Sequence, residues 1–557
     1  MPPFSLLHEA WIPVSTSRGE RTLIRLDEIA RPDLVAIATG RPDCDISLTE
    51  FLIGLLAVAC PPQSDEDWRD GLGGAPPSAD QLRAAFAPLA EALVLDGDGP
   101  RFFQDREELT GEATEVEALC MDVVAKHFTK PGRIATLSRA GGAIVLATLQ
   151  TSAPSGGAGH RVSVRGGGPL STLVVPGGDP CEYELWRLLW ANLPLAEEDP
   201  PELKKVFPWL APTRVSDKTG RSTTPVDVHR LQAFFGMPRR IRLVFEPNTE
   251  GRRCDLTGLV DDVIITHYIT RPWGTNYEGW SRGHPLSPYY KQKPSDAAFL
   301  PLHLKSSRVG YREWLGISLG QADQTRVPAQ CVHDFRRRLQ GHTKGDLATF
   351  RRDARLLVAG YAMDNMKPLD FGEALMPLIV ASSNATNDNL RNLAERLIAA
   401  AQETAGLLLG AVKLGLFGAG AKPETASTVL APVRDRFWAD TEQPFFAALG
   451  TALEKADAIT ARDEDEAREA WRDISAAIGT DWLRTLRQNA ERIFDDTVSL
   501  DDADGRRISD VVQARRQMLV SLSGFGAPGK RIFKALNIPE PETKKPKADK
   551  SRKETTA

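Results

Sequence analysis

Closely spaced cysteines are absent from this sequence. The six cysteines are dispersed along the chain, none belongs to a C-x-x-C pair, and none follows Cys331. A disulfide scaffold and a zinc ribbon both require cysteines at short, repeated spacings. We therefore expect buried, reduced thiols rather than cross-links or metal ligands.

Signatures of catalysis are missing as well. The nine histidines form no H-E-x-x-H or H-x-H pattern, and the chain has no G-x-S-x-G elbow. Residues 524–530 (GFGAPGK) have the spacing of a phosphate-binding loop, but Arg531 follows where that loop needs Ser or Thr. Because the residues before this segment have a helical pattern, residues 524–530 indicate a glycine break within a helix. The sequence predicts no catalytic residue, no metal and no cofactor.

Long hydrophobic runs are scarce. The run at residues 51–60 is too short to span a bilayer, and charged and amide residues interrupt the run at residues 397–421. The N-terminal segment has no basic region before Glu9, so a secretory signal is not expected. These features favour a cytoplasmic protein with no membrane partner.

An excess of positive charge is also lacking. The chain has 69 Lys and Arg against 74 Asp and Glu, a formal net charge of -5, which argues against a stand-alone nucleic-acid coat. Residues 326–355 differ from this average, with eight Lys or Arg against three Asp. The consecutive Arg336, Arg337 and Arg338 fit a solvated helix face about as well as a stripe that contacts DNA phosphates, and we expect them to contact the DNA backbone.

The organisation of the chain changes along its 557 residues. Up to about residue 370, Gly and Pro punctuate helical stretches and short β-rich runs such as residues 240–245 and 260–269, as in a large mixed α/β domain with irregular loops. Four long segments with helical periodicity then predict a C-terminal four-helix bundle, at residues 384–417, 422–456, 463–498 and 503–536. The predicted fold class is α+β, with the large domain at 1–370, the bundle at 371–538 and a disordered basic tail at 539–557.

Glycine-rich loops stand beside basic residues in the first domain. Residues 155–160 (SGGAGH) precede Arg161 and Arg165, and three more glycines follow at 166–168. Such loops bring backbone N–H groups close to a phosphate or a groove, although plain hairpin connections have the same composition. Residues 268–293 interleave aromatic with basic residues, which fits either base stacking or, as we favour, anchoring of an irregular loop to its core.

Four segments, two of which overlap those just described, resemble sequence motifs of a known family. They are residues 6–14 (LLHEAWIPV), 165–173 (RGGGPLSTL), 270–290 (TRPWGTNYEGWSRGHPLSPYY) and 361–367 (YAMDNMK). In this order they resemble the CasA family, the large subunits of type I-E Cascade complexes in bacterial CRISPR immunity. The resemblance covers nearly all of the chain up to about residue 536. It implies a non-catalytic subunit whose partners are the other Cascade subunits, the CRISPR guide RNA, double-stranded target DNA and a helicase-nuclease.

The resemblance also implies which residues read DNA. Family members recognise a short protospacer-adjacent motif (PAM), mostly from the minor groove, while guide RNA pairing reads the long sequence. Their glycine loop corresponds to Gly156, Gly157, Ala158 and Gly159, where the backbone must approach a narrow groove. Their basic finger, commonly Lys, corresponds to Arg271, whose forked guanidinium has a different reach.

Two further elements are implied by the same resemblance. The wedge that enters the duplex beside the PAM corresponds to Asn365 and Met366, with Lys367 next, and an unbranched Met suits insertion between base pairs. The family's contact to the RNA 5′ handle and a neighbouring subunit corresponds to Phe128, Thr129 and Lys130.

One departure from the family concerns zinc. Several relatives carry paired C-x-x-C knuckles near the equivalent of residues 253–258, where this chain has only Cys254, so we expect no structural zinc.

Two other functional classes stay open at this point. One is a nuclease, HNH-like or other, although the HNH pattern of Cys and His is absent. The other is a purely structural helical scaffold that binds only protein.

Overall fold

The computed structural model describes residues 3–121, 132–157, 159–177, 184–197, 200–217, 221–305, 308–418, 423–459, 463–498 and 507–541. The chain forms two compact units, one of residues 1–309 and 313–387 and the other of residues 310–312 and 388–557.

Helices occur in both units. They are α1 Pro42–Ala59, α2 Asp65–Gly73, α3 Ala79–Phe86, α4 Arg139–Ser152, α5 Glu184–Ala191, α6 Leu203–Val206, α7 Tyr311–Ser318, α8 Gln330–Leu339, α9 Gly345–Arg352, α10 Asn384–Phe417, α11 Pro423–Asp457, α12 Glu464–Thr497, α13 Arg507–Leu522 and α14 Gly526–Leu536.

Strands are short in most places and lie in the first unit. They are β1 Ile12–Thr16, β2 Arg21–Ile24, β3 Leu34–Ile37, β4 Thr114–Glu115, β5 Leu137–Ser138, β6 Ser171–Val175, β7 Ser222–Thr223, β8 Arg240–Pro247, β9 Val263–Arg271, β10 Asn276–Tyr277, β11 Tyr289–Tyr290, β12 Leu300–Pro301, β13 Arg326–Val327, β14 Arg355–Asp364 and β15 Lys367–Pro377. The predicted α+β class is confirmed.

Two small sheets contain the longest strands. The first has the order β15-β14-β6, with β14 antiparallel to both neighbours. In the second, β9 lies between β4 and β5 and also pairs with β8. The β-rich runs that the sequence indicated near residues 240–245 and 260–269 form β8 and β9. The domain boundary predicted at 370 is wrong, because Asp370 lies within β15 and pairs with Ala362 of β14.

The core of the first unit surrounds α1. Pro42 begins this helix, where a proline needs no helical hydrogen-bond acceptor, and residues 46–57 are all buried. Phe51 meets the rings of Trp11, Phe102 and Phe235 edge-on, with centroids 5.3–6.1 Å apart. A helix that is buried on every side must be enclosed by other elements, and α1 packs against α4, α5, β3, β14 and β15.

A buried ion pair crosses this core. The Glu50 carboxylate of α1 accepts from Arg165 Nη1 at 3.2 Å and from Nη2 at 2.5 Å, and both side chains are 3% exposed. Arg165 also donates to the hydroxyl oxygens of Ser171 and Ser287 at 3.0 and 3.1 Å. From its place beside the glycine-rich loops, the sequence suggested that Arg165 faces a polyanion. The structure corrects this interpretation, because the guanidinium is inside the protein and already neutralised.

The second unit contains α10 to α14. The ring of Tyr311 stacks on Phe445 with centroids 4.5 Å apart, and the indole of Trp482 donates to the Leu397 carbonyl at 2.9 Å. The helical C-terminal region is therefore confirmed, but the fourth predicted segment forms two helices, α13 and α14. The expected glycine break separates them at residues 523–525, where Gly524 has a φ of 92°.

The predicted tail is described only in part. The tail predicted at 539–557 lies outside the described residues from 542 onward.

Among the described helices, α10 is long and apolar enough by length and composition to cross a bilayer, yet half of its most apolar window is buried within the structure. A core helix of a helical domain has the same properties.

The buried ion pair yields a stability prediction. Glu50→Ala leaves the Arg165 guanidinium buried without a counter-charge, so we expect the free energy of unfolding to fall by about 3–5 kcal/mol. The control is Arg468→Ala, which removes exposed pairs with Glu464 and Asp465 and should cost less than about 1 kcal/mol. Urea unfolding followed by tryptophan fluorescence measures both. Equal losses in the two variants would contradict the assigned role of the pair.

Candidate nucleic-acid interface

The residues predicted as the wedge lie at the tip of the β14–β15 hairpin. Asp364 ends β14 and pairs with Lys367 at the start of β15, so Asn365 and Met366 alone form the turn. Asn365 has a φ of 54°, and a positive φ at the first central residue is what tight two-residue hairpin turns require. All four side chains are exposed, and Met366 exposes 47% of its surface. The hairpin, whose register shifts once between Ala362 and Met363, thus presents an unbranched apolar side chain to solvent.

Arg271, the predicted finger, ends β9. Its backbone is held by pairing with Arg240 of β8, while its side chain is exposed and donates from Nη2 to the Thr110 hydroxyl at 3.2 Å. In the part of the chain that the structure describes, no carboxylate pairs with this guanidinium. A fixed backbone with an un-neutralised guanidinium suits recognition of acceptors in a DNA groove.

The predicted glycine loop is a tight turn in front of this strand end. The Gly156 N–H donates to the His160 carbonyl at 3.3 Å, and the His160 N–H donates to the Gly157 carbonyl at 2.9 Å. Gly157 and Gly159 have φ values of 69° and 80°, which glycine adopts without steric cost. Gly156 and Gly157 are exposed, so bare backbone faces solvent here. Ala158 lies outside the described residues.

Trp273 joins the glycine loop to the finger strand. Its N–H donates to the Gly159 carbonyl at 2.8 Å, and a Cβ at Gly159 would lie 2.6 Å from its ring. The Arg161 guanidinium lies 5.4 Å from the centroid of the same ring. Because Trp273 is two residues beyond Arg271, these contacts place the loop beside the finger. Only glycine fits at position 159.

A second glycine turn connects this region with the hairpin. Gly168 donates its N–H to the Ser152 carbonyl at 2.9 Å. A Cβ on Gly168 would lie 2.6 Å from the Cβ of Tyr361 and 2.9 Å from the Sδ of Met363, both in β14. The Tyr361 hydroxyl in turn donates to Asp43 of α1 at 2.5 Å. The segment from Gly159 to Gly168 therefore contacts both the finger strand and the hairpin, and all three predicted DNA-reading elements belong to the first unit.

The three consecutive arginines of α8 have partners within the protein. Arg338 is 2% exposed, donates to Asp65 at 3.0 Å and lies 4.8 Å from the ring centroid of Trp68. Arg337 forms a two-pronged pair with Asp65 and, as the main cause, lowers the pKa of that carboxyl to about 2. Arg336 donates to two backbone carbonyls. The predicted phosphate-facing stripe is thus corrected, because each of the three guanidinium groups has an internal hydrogen-bond partner and Arg338 is buried.

The aromatic residues of segment 268–293 have mostly structural positions. Tyr268, Tyr277, Trp280 and Tyr289 are each no more than 8% exposed, and the Tyr277 hydroxyl accepts from the Met237 N–H at 2.9 Å. The interpretation that they anchor an irregular loop is confirmed. Burial raises the pKa of the Tyr277 hydroxyl, which stays protonated.

Two predictions concern the RNA handle and zinc. Phe128, Thr129 and Lys130, expected at the RNA handle, lie outside the described residues. Within the described ranges, no group of three His, Cys, Asp or Glu is arranged to hold a metal ion. The Sγ of Cys254 is buried and accepts from the Thr257 N–H at 3.4 Å. The expectation that zinc is absent remains a prediction for metal analysis.

Two residues of this surface were not found by sequence reasoning. Trp273 was grouped with the other aromatic residues of its segment, and its separate role depends on contacts with Gly159 and Arg161. Arg239 lies beneath the glycine loop, where its Nη2 donates to the Pro154 carbonyl. The sequence offers one signal for Trp273, its position two residues after the basic finger, and none for Arg239.

Comparisons with known proteins concern the sequence and the fold as a whole. The family model of CRISPR-associated protein Cse1 matches residues 5–481. The structure of Thermus thermophilus CasA (Cse1) is similar with a TM-score of 0.67 at 18% identity, covering 94% of this chain and 99% of that chain. For Thermobifida fusca Cse1 the TM-score is 0.62 at 17% identity, with coverages of 96% and 98%.

A chain of a CRISPR RNA-guided surveillance complex is also similar. Its TM-score is 0.64 at 14% identity, and the match covers 93% of this chain and all of that chain. At these identities the solved structures establish a shared fold, whereas the family model covers most of the sequence. The resemblance to CasA is confirmed, and the chain belongs to the CRISPR-associated Cse1 family.

Proposed function

We propose that this chain is the non-catalytic large subunit of an RNA-guided type I-E Cascade complex, that it recognises the PAM in double-stranded DNA, and that it helps open the duplex for R-loop formation. Its partners are the other Cascade subunits, the guide RNA, the target duplex and a helicase-nuclease that it docks, and it acts in the cytoplasm. The observation that carries the proposal is the presence, within one compact unit, of an exposed glycine turn, an exposed Met366 hairpin tip and an Arg271 that pairs with no carboxylate among the described residues.

Each element supplies a different physical requirement of PAM reading. The side-chain-free Gly156 and Gly157 let the backbone enter a minor groove about 6 Å wide. Arg271 brings charged donors to acceptors on the groove floor, and the electrostatic attraction also favours association. Met366 stacks into an opened base step, which offsets part of the few kcal/mol that unstacking costs. R-loop formation is close to energetic balance, so contributions of this size decide whether it starts.

The wedge assignment predicts an effect that depends on the state of the DNA. Met366→Ala should weaken binding of the assembled complex to PAM-containing duplex by roughly tenfold or more, because it removes the apolar contact that replaces base stacking. Binding to DNA already opened beside the PAM should change little. Titrations with labelled closed and pre-opened duplexes measure both.

The hairpin provides a matched control for this experiment. Leu375 on β15 is also apolar and 50% exposed, but lies away from the turn, so Leu375→Ala should leave both affinities near wild type. If Met366→Ala weakened binding to both DNA substrates equally, the wedge role would be excluded.

The finger assignment predicts a loss of discrimination. Arg271→Ala should lower the ratio of affinities for PAM and non-PAM duplexes by about tenfold or more, since a good base contact contributes roughly 1–3 kcal/mol. Arg271→Lys should retain part of the ratio, as it keeps the charge. The control is Arg253→Ala, another exposed arginine whose described hydrogen bond goes to a neutral acceptor, the Gly258 carbonyl. A normal ratio in Arg271→Ala would contradict the assignment.

Two further assays address the other functional classes. Cleavage of DNA by the purified chain with Mg²⁺, without a helicase-nuclease, would support a nuclease. Unchanged DNA affinity of the complex when this chain is omitted would support a scaffold. We expect neither result.

A further inference from the structure

Arg239 differs from the neighbouring arginines in its electrostatic environment. Arg240, the next residue, pairs with Asp105 at 2.6 Å and with Glu107 at 2.9 Å, and Arg242 pairs with Glu108. For Arg239, the described part of the chain supplies only a backbone acceptor, the Pro154 carbonyl, and its Nε is buried without a hydrogen-bond partner. Among the described residues, Arg239 thus lacks the carboxylate partner that Arg240 and Arg242 have, although it is the more buried of the cations in this region that lack one.

The Arg239 guanidinium is mostly buried and still charged. Burial lowers its pKa to about 10, well above neutral pH. A cation removed from water without an anionic partner is unfavourable, and such groups normally have a carboxylate beside them. Nearby His160 does not supply a negative charge. Burial and, secondarily, the charge of Arg239 lower the pKa of His160, which favours the neutral imidazole at pH 7.

The glycine loop leaves access to this cation from the outside. Gly156 is exposed, and a Cβ at this position would lie 2.7 Å from the Cβ of His160 and 3.1 Å from Nη1 of Arg239. Any larger residue would therefore cover that nitrogen, whereas glycine leaves this direction free. A ligand in front of the loop would therefore approach Arg239 from the side of Nη1.

We propose that Arg239 and Gly156 form a phosphate subsite, and that a backbone phosphate of the target DNA is the counter-charge of Arg239. The inference rests on the proposed function, because the DNA must lie in front of the glycine loop. A phosphate has accessible anionic oxygens and flanks the groove that such a loop enters. The interaction is independent of base sequence, so it fixes the position of the duplex while Arg271 reads the PAM.

The test is the salt dependence of binding by the assembled complex. Removing one ionic interaction with a B-DNA phosphate lowers the slope of log Kd against log salt by about 0.9. Arg239→Met should show this decrease for PAM and non-PAM duplexes alike, and Arg239→Lys should keep the wild-type slope. Arg253→Met is the control and should leave the slope unchanged.

The outcomes separate this subsite from its alternatives. If Arg239→Met weakened binding equally at every salt concentration, the arginine would only support the Pro154 carbonyl, and the proposal would be overturned. The absorbance ratio at 260 and 280 nm measures RNA content. Loss of guide RNA from the Arg239→Met complex, with a normal DNA slope, would assign the phosphate to RNA and would also overturn it. If the wild-type complex did not prefer PAM duplexes, the proposed function itself would fail, together with this subsite.

Discussion

The arrangement of the first unit depends on the buried pair between Glu50 and Arg165. Glu50 belongs to the central helix α1, and Arg165 lies between the glycine loop and β6. Through Ser171 and Ser287 the same guanidinium also holds the start of β6 and the segment before β11. Because β6 pairs with β14, the pair fixes the hairpin and the glycine-rich segment relative to one helix. A buried charge is costly when alone, so these elements are stable only together.

Backbone conformation is a second constraint on the interface. Trp273 has a φ of 67°, which is unusual for a bulky aromatic residue and costs of order 1–3 kcal/mol. Contacts on both sides hold it there. Its N–H bonds to Gly159, its carbonyl accepts from the Ser216 N–H at 3.1 Å, and its ring lies under Arg161. Backbone strain of this kind persists only where neighbouring groups fix the geometry. The strained residue Trp273 connects the predicted glycine loop to the strand that ends in Arg271.

Sequence reasoning succeeded where the signal is local. Periodicity predicted the strands β8 and β9 and the long C-terminal helices, and the glycines at 524 and 526 predicted the break between α13 and α14. It failed where the deciding partner is distant in sequence. The run Arg336–Arg338 has the composition of a phosphate-binding stripe. The carboxylate that pairs with Arg337 and Arg338 belongs to Asp65, which lies more than 270 positions away in the sequence. The interpretation of Arg165 fails for the same reason. No local pattern distinguishes Arg240, which has a carboxylate partner, from Arg239, which has none in the part of the chain that the structure describes.

The two-residue turn of the β14–β15 hairpin has a consequence for how this surface can evolve. The ladder below the turn and the positive φ of Asn365 define its shape, while the Met366 side chain is largely free of the core. Residue 366 can therefore be exchanged for a polar or larger residue with little effect on folding. The chemistry that the turn presents to solvent is therefore adjustable independently of the scaffold, because a change at this single position leaves the paired strands in place.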